Sequence, residues 1–143
     1  MEKVNCDYFT PDGAINPELV DKEARKWANL FAPKRNESDR YSKEKVINPA
    51  QLRRFYGEAK RLEMRWQNSS DRERTFGDIL PMIKLLKAKA AYANKRGLVS
   101  PSFRDWIWDN VDRINVGEDF KAFLLFFEAV VGFCYGNELP DNN

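Results

Sequence analysis

Basic residues are concentrated in two segments of this sequence. Residues 81–97 carry five lysines or arginines and no acidic residue, and residues 49–66 carry five basic and two acidic residues. Like charges at helical spacing repel one another, a cost that is usually offset by a polyanionic partner or by acids from elsewhere in the fold. Two kinds of chemistry therefore remain open for these cations: contact with a phosphate backbone, or ion pairing within the protein.

In the first basic segment, apolar side chains recur every three or four residues and predict one buried helical stripe: Leu52, Phe55, Tyr56, Ala59, Leu62 and Trp66. Arg54, Arg61 and Arg65 fall opposite this stripe. Two further basic residues lie on a flank close to its edge: Arg53 and Lys60. For this helix alone, a solvated surface with a pair between Arg54 and Glu58 remains an adequate interpretation.

In the second basic segment the predicted apolar face holds Met82, Ile83, Leu86, Ala90 and Ala93. Lys84 and Lys95 fall opposite that face, and Lys87 falls beside them. Lys89 falls on the apolar side, so its stem either extends out of the core towards a ligand or its ammonium pairs with Glu128. We favour the pair with Glu128.

Acids later in the chain could neutralise the second segment instead. The candidates are Asp109, Asp112, Glu118 and Asp119. If they do so, the cations serve the fold; if they do not, phosphate groups are the natural partners. Basic positions on two helices, with aromatic residues near them and no base-reading motif, are typical of sequence-independent binding to nucleic acid.

The composition argues against catalysis and metal binding. The sequence has no histidine, no G-x-x-x-x-G-K-[ST] loop and no G-x-G-x-x-G motif. Its two cysteines, Cys6 and Cys134, lack the spacing of a zinc site or a disulfide framework, and we expect both to be reduced. We therefore expect that the protein is not an enzyme and that it binds neither a metal nor a cofactor.

No apolar run reaches the roughly 18 residues that a membrane span requires. The sequence "MEKVNCDYFT" at its beginning also lacks the apolar stretch of a signal peptide. We therefore expect a cytoplasmic protein with no membrane partner.

The predicted fold class is all-α, a compact bundle of about five helices. Three Asn-Pro or Ser-Pro pairs predict helix starts at Pro17, Pro49 and Pro101, and a fourth start is predicted near Thr75. Gly97, Gly117 and Gly136 are expected to end helices, which gives five predicted helices: 17–31, 49–67, 76–96, 101–115 and 118–135. We expect residues 1–143 to form a single domain, with 33–47 a mobile loop and 137–143 a short tail.

The last predicted helix is apolar around nearly its whole circumference, with a polar strip only at Lys121 and Glu128. Such a helix is either the central element of a bundle or carries a second apolar face for a partner subunit. The sequence leaves both interpretations open.

Three segments together resemble a known family. They are "LRRFYGEAKRLE" (52–63), "ILPMIKLLKAKAAYA" (79–93) and "FKAFLLFFEAVVGF" (120–133). In this order they resemble the small subunit of the Csm effector complex, the type III-A CRISPR–Cas interference machine. The resemblance covers residues 48–136 approximately and implies an all-helical, non-catalytic protein that stacks in several copies beside the guide RNA and the target RNA, together with the other subunits of the complex.

The resemblance also implies which residues hold the RNA backbone without reading its sequence. Carried onto the matching positions, they are Arg53, Arg54, Lys60, Arg61, Lys84, Lys87 and Lys89. Lys95 and Arg96 are added to these predicted RNA contacts only because they continue the basic surface of the same helix. Two alternatives from other classes remain: a helical adaptor whose basic helices bind an acidic protein, and an enzyme that uses Glu63, Glu128 or Lys89 in a pocket.

Overall fold

A computed structural model describes residues 3–33 and 46–137, and helices dominate it. A short 3-10 helix spans Pro17–Val20. Five α-helices follow: α1 (Lys22–Phe31), α2 (Pro49–Gln67), α3 (Arg72–Lys95), α4 (Pro101–Asp112) and α5 (Gly117–Gly136). Within the two described ranges, the only bridge of β type is an isolated one between Phe9 and Ile15. The predicted all-α bundle of about five helices is confirmed.

The three predicted starts at proline are confirmed, and each has a side-chain cap. The side chains of Asn16, Asn48 and Ser100 each accept a hydrogen bond from a backbone N–H of the turn that follows. Proline stands directly after each of them, at a position where its missing N–H leaves no helix bond unmade. These starts are local features, which is why the sequence alone predicts them.

Two of the predicted helices differ from the observed ones near their starts. Pro17 opens only a 3-10 turn, because Asp21 leaves the helical region with φ −124° and ψ −95° before α1 begins. The third helix begins at Arg72 rather than near Thr75, because the Asp71 side chain caps it by accepting the N–H of Arg74. Pro81 therefore lies in the interior of α3.

The two glycines that were expected to end the middle helices have different roles. Gly97 follows the last turn of α3 and has φ 75°, the left-handed conformation that ends many helices, so this prediction is confirmed. Gly117 instead opens α5, and α4 ends earlier, at Asp112. The carboxylate of Asp119 caps the start of α5 by accepting the backbone N–H groups of Asn115 and Val116.

Helix α5 is the central element of the bundle. It packs against α1, α2 and the 3-10 helix. Eight of its side chains are buried: Phe120, Ala122, Phe123, Leu124, Phe126, Phe127, Val130 and Cys134. Trp106 of α4 lies among three of these rings, with centroid distances of 5.0–5.9 Å to Phe123, Phe126 and Phe127. Of the two interpretations that the sequence left open, the central core helix is therefore the one observed.

The segment before the 3-10 helix is held against α4 by polar contacts. The guanidinium of Arg113 donates to two carbonyls of this segment, both at 2.7 Å. The backbone N–H of Val4 donates to Asp109 at 2.8 Å, and the Tyr8 hydroxyl donates to the buried side chain of Asn110 at 2.5 Å. No sequence pattern indicated these roles for the polar residues of α4.

The predicted mobile loop is described only at its ends, and residues 34–45 lie outside the described residues. At its far end Ile47 is buried, and its backbone N–H donates to the carbonyl of Phe31 at 2.8 Å. This contact fixes the start of α2 beside the end of α1.

The predicted tail is described only at Asn137, since residues 138–143 lie outside the described residues. Asn137 is buried, and its side-chain amide donates to Asn29 of α1 at 2.8 Å. Asn137 therefore belongs to the packed structure rather than to a tail.

Both cysteines are free thiols. Burial raises the pKa of Cys134 to about 12, so this thiol stays protonated in the core. Burial also raises the pKa of Cys6, and the nearby carboxylates of Glu23 and Asp7 add to the effect.

None of the helices in the described ranges is long and apolar enough to cross a membrane.

We predict that Gly117→Ala destabilises the protein. A methyl group at Gly117 would lie 2.5 Å from Cζ2 of Trp66, a buried ring packed against Phe76 and Phe120. The ring or the helix start must then shift, which lowers the free energy of unfolding by about 1–3 kcal/mol. Urea denaturation followed by circular dichroism measures the change.

Gly132→Ala is the matched control in the same helix. A methyl group at Gly132 meets nothing within 4 Å, and alanine in a helix interior is preferred over glycine by about 0.5–1 kcal/mol. The control should therefore be neutral or stabilising. Equal stabilities for the two variants would contradict the steric argument.

We also predict a loss of stability in acid that depends on Glu23. Burial by itself would raise the pKa of Glu23, but hydrogen bonds from the Asn5 N–H, the Trp27 indole and the Lys26 ammonium outweigh it and lower the pKa. The carboxylate therefore stabilises the fold fully above its ordinary pKa of 4.5, and this contribution disappears as the pH falls through the lower folded value. Glu23→Gln should flatten this part of the pH profile of unfolding, whereas parallel profiles would contradict the assignment.

Candidate nucleic-acid interface

Helices α2 and α3 lie side by side in opposite directions. Glu58 pairs with Lys89, and a guanidinium nitrogen of Arg65 lies 3.6 Å from the sulfur of Met82. Later residues of α2 therefore lie beside earlier residues of α3, as in an antiparallel helix pair. Outward-facing side chains of both helices thus share one surface, which we name the α2–α3 face: Arg54, Glu58, Arg61, Arg65, Met82, Leu85, Lys89, Tyr92 and Arg96.

The α2–α3 face is strongly cationic. Its nine residues include four arginines, one lysine and a single carboxylate, Glu58, which forms an ion pair with Lys89. Across the described part of the chain, no carboxylate lies within ion-pair distance of the four arginines on this face. Met82, Leu85 and Tyr92 place exposed apolar surface beside these charges.

The predictions for Lys89 and Glu58 are corrected by this arrangement. Lys89 is 43% exposed and pairs with Glu58, not with Glu128. The buried stripe of α3 runs through Ile83 and Leu86, which leaves Lys89 and the exposed Met82 outside it. The predicted pair between Arg54 and Glu58 is likewise absent. Glu128 instead lines a groove beside the 3-10 helix.

A small cavity of about 150 Å³ opens at one end of the α2–α3 face. It lies between the first half of α2 and the last turns of α3. Arg54, Lys89 and Arg96, which are three of the nine predicted contact residues, line it together with Tyr92 and Glu58. The fold thus brings together cations that are about forty residues apart in sequence.

Arg53 and Lys60 lie on the other flank of α2, towards α5. The Arg53 guanidinium donates to the hydroxyl of Tyr135 at 3.1 Å. Lys60 pairs with Glu63 at 2.6 Å, and this hydrogen bond raises the pKa of Lys60. These two predicted contacts therefore lie on a different side of α2 from the α2–α3 face.

Lys84 and Lys87 lie at the junction between α3 and α4. Lys84 donates to the carbonyl of Val111 at 2.8 Å, and burial together with the charge of Lys87 lowers the pKa of Lys84. Lys87 pairs with Asp112, and its ammonium lies 5.0 Å from the centre of the Trp108 ring. Lys84 thus adds a side-chain hydrogen bond to a carbonyl in the last turn of α4 that also accepts the backbone N–H of Ile114.

The interpretation that acids from a later helix neutralise the second basic segment therefore holds for Lys87. Asp109 does not take part, because it binds the N-terminal segment and lies 3.9 Å from Arg113. Asp119 caps α5 instead. Lys95 is exposed near the end of α3, and no described carboxylate pairs with it.

Sequence reasoning left Arg65 and Tyr92 out of the predicted contacts. Arg65 follows Arg61 by four residues on the face opposite the apolar stripe, so its helical spacing was a usable signal. Tyr92 is 63% exposed, and helical spacing already places it outside the stripe of Ile83, Leu86, Ala90 and Ala93. Its position on the same side as Lys89 and Arg96 was therefore a usable signal as well.

The three residues named in the enzyme alternative have different contacts in the fold. Lys89 pairs with Glu58, Glu63 pairs with Lys60, and Glu128 faces the 3-10 helix. Among the described residues, no cluster of three or more histidine, cysteine, aspartate or glutamate side chains could hold a metal ion.

A protein-family model described as Csm2 Type III-A matches residues 16–135, which is well over half of the 143-residue chain. The chain belongs to the Csm2 Type III-A family. Neither the curated proteins nor the solved structures include a match. Family membership confirms the resemblance stated above and places the protein as a small subunit of a type III-A CRISPR Csm complex. The segments that carried the resemblance lie in α2, α3 and α5.

We predict that Lys84 stabilises the fold. Lys84→Met keeps most of the aliphatic stem but removes one of the hydrogen bonds to the Val111 carbonyl, which then keeps only its backbone bond from Ile114, so the free energy of unfolding should fall by about 1 kcal/mol. Lys95→Met, on the same helix and exposed, is the control and should change stability by less than about 0.5 kcal/mol. Urea midpoints measure both, and equal midpoints would refute a structural role for Lys84.

Proposed function

We propose that this protein is a non-catalytic, cytoplasmic subunit that holds the backbone of the guide RNA or target RNA within its Csm complex. The observation that carries the proposal is the α2–α3 face, where five cations share one carboxylate. A polyanion offsets the mutual repulsion of such charges and gains affinity through the release of counterions. The expected binding is independent of RNA sequence, because phosphates carry no sequence information.

The nine predicted contacts divide by their surroundings. Arg54, Arg61 and Arg96 are exposed without ion pairs among the described residues, which suits them for direct phosphate contact. Lys89 can contribute once a phosphate competes for Glu58. Four others already have partners in the fold and are proposed as secondary contacts: Arg53, Lys60, Lys84 and Lys87. Lys95 extends the cationic surface at the end of α3.

Stacking in several copies, with contacts to the other Csm subunits, belongs to the same proposal. Because most apolar side chains of α5 are buried, the apolar surface that this helix can offer a partner is limited to exposed residues such as Leu125. A groove of about 310 Å³ between the 3-10 helix and α5, lined by Val20 and the exposed Leu125, is a candidate contact surface between copies. Sedimentation of the RNA-binding samples described below would report such self-association.

We predict that a double variant, Arg54→Ala with Arg61→Ala, weakens binding of single-stranded RNA and lowers its salt dependence. Each lost phosphate contact on a single strand reduces the slope of log K against log salt by about 0.7, so the slope should fall by about 1.4. Two labelled RNAs of unrelated sequence, titrated at several salt concentrations, should give the same result.

The matched control is Lys22→Ala with Arg25→Ala, which removes the same charge from exposed positions of α1. Helix α1 packs against α5, α4 and the 3-10 helix, and neither residue belongs to the α2–α3 face. A similar loss in the control would show that net charge, not this face, governs binding. Tight binding of an acidic polypeptide with no RNA binding at low salt would favour the adaptor alternative.

A further inference from the structure

The cavity at the end of the α2–α3 face combines features that phosphate contact alone does not require. Its volume is about 150 Å³, below the roughly 300–1,000 Å³ of pockets that hold drug-sized ligands. It therefore has room for one small group rather than for an extended ligand. Phe55 and Ala93 contribute a buried apolar wall, Gln51 and Leu98 also line the cavity, and the remaining lining residues are Tyr92 and four charged side chains.

Tyr92 presents an open ring beside this cavity. Its side chain is 63% exposed, and the guanidinium carbon of Arg96 lies 5.6 Å from the ring centre. A tyrosine this exposed contributes little to the core, and a neighbouring guanidinium both polarises the ring and offers donors to a phosphate. Exposed aromatic rings of this kind are the stacking platforms of proteins that bind single strands.

The charges around the cavity are arranged asymmetrically. Arg54 approaches from α2 and Arg96 from α3, and neither has an ion pair among the residues described. Glu58, paired with Lys89, occupies another part of the lining. A phosphate next to Glu58 would be repelled, so the favourable place for a phosphate is between the two arginines, and the uncharged base is left beside Tyr92.

We propose that this cavity takes one unpaired nucleotide of single-stranded RNA, with the base stacked on the Tyr92 ring and the phosphate held by Arg54 and Arg96. The proposal rests on the proposed function and deepens it, because it adds a base contact to a surface otherwise expected to read only phosphates. Stacking tolerates any base, so sequence independence is retained.

The test compares two probes at low and moderate salt: a labelled oligoadenylate, and an oligomer of the same length and charge in which the nucleotides are abasic. The full-length wild-type chain should bind the oligoadenylate about tenfold more tightly, which is within the range measured for one stacked base. Tyr92→Ala should bind both probes equally, with an unchanged salt slope. Tyr92→Phe keeps the ring and should restore the preference.

Each other outcome overturns a different statement. Equal binding of the two probes by the wild type, with a normal salt slope, overturns the base contact and leaves the phosphate surface intact. A preference that survives in Tyr92→Ala removes Tyr92 from the contact. Failure of both probes at low salt overturns the proposed function itself. Because Tyr92 is exposed, the variants should keep the wild-type melting temperature, which circular dichroism checks.

Discussion

The structure depends on the enclosure of α5 by aromatic side chains. Each fully buried phenylalanine stabilises a fold by about 1.5–3 kcal/mol, and α5 buries four of them: Phe120, Phe123, Phe126 and Phe127. Exposed ion pairs contribute only about 0–1 kcal/mol each. The core therefore determines how the helices are arranged, and most surface charges have little influence on it. Cations can accumulate on one face because the fold tolerates them energetically.

The same enclosure explains what each outer helix must provide. A helix that packs on α5 needs one apolar stripe, and its remaining circumference is free. In α2 the stripe leaves two different flanks, one near α5 with Arg53 and Lys60, and one beside α3 with Arg54 and Arg61. In α3, one flank carries Lys84 and Lys87 and packs beside α4, and the other carries Lys89 and packs beside α2. Whether a cation forms a contact within the protein therefore depends on the helix beside it.

That dependence marks the limit of prediction from the sequence. Caps are local, so the starts at Pro49 and Pro101 could be predicted, as could the faces of α2 from its periodicity. Pairs between helices are not local. Lys89 was assigned to Glu128 because helical angles place it near the apolar side, yet packing brings Glu58 to it. Likewise, nothing in the sequence of α3 shows that Lys84 and Lys87 meet the end of α4.

The arginines that form no ion pair within the described part of the chain are therefore the informative ones. Evolution of a stable monomer alone gives no reason to place Arg54, Arg61, Arg65 and Arg96 on one surface, since each raises the repulsion felt by the others. A polyanion removes that cost. A few phosphate contacts on one copy give modest affinity, and repeating the same face along a strand multiplies it through effective concentration. A weak, sequence-tolerant surface would thus suit the proposed function, in which several copies act on one RNA.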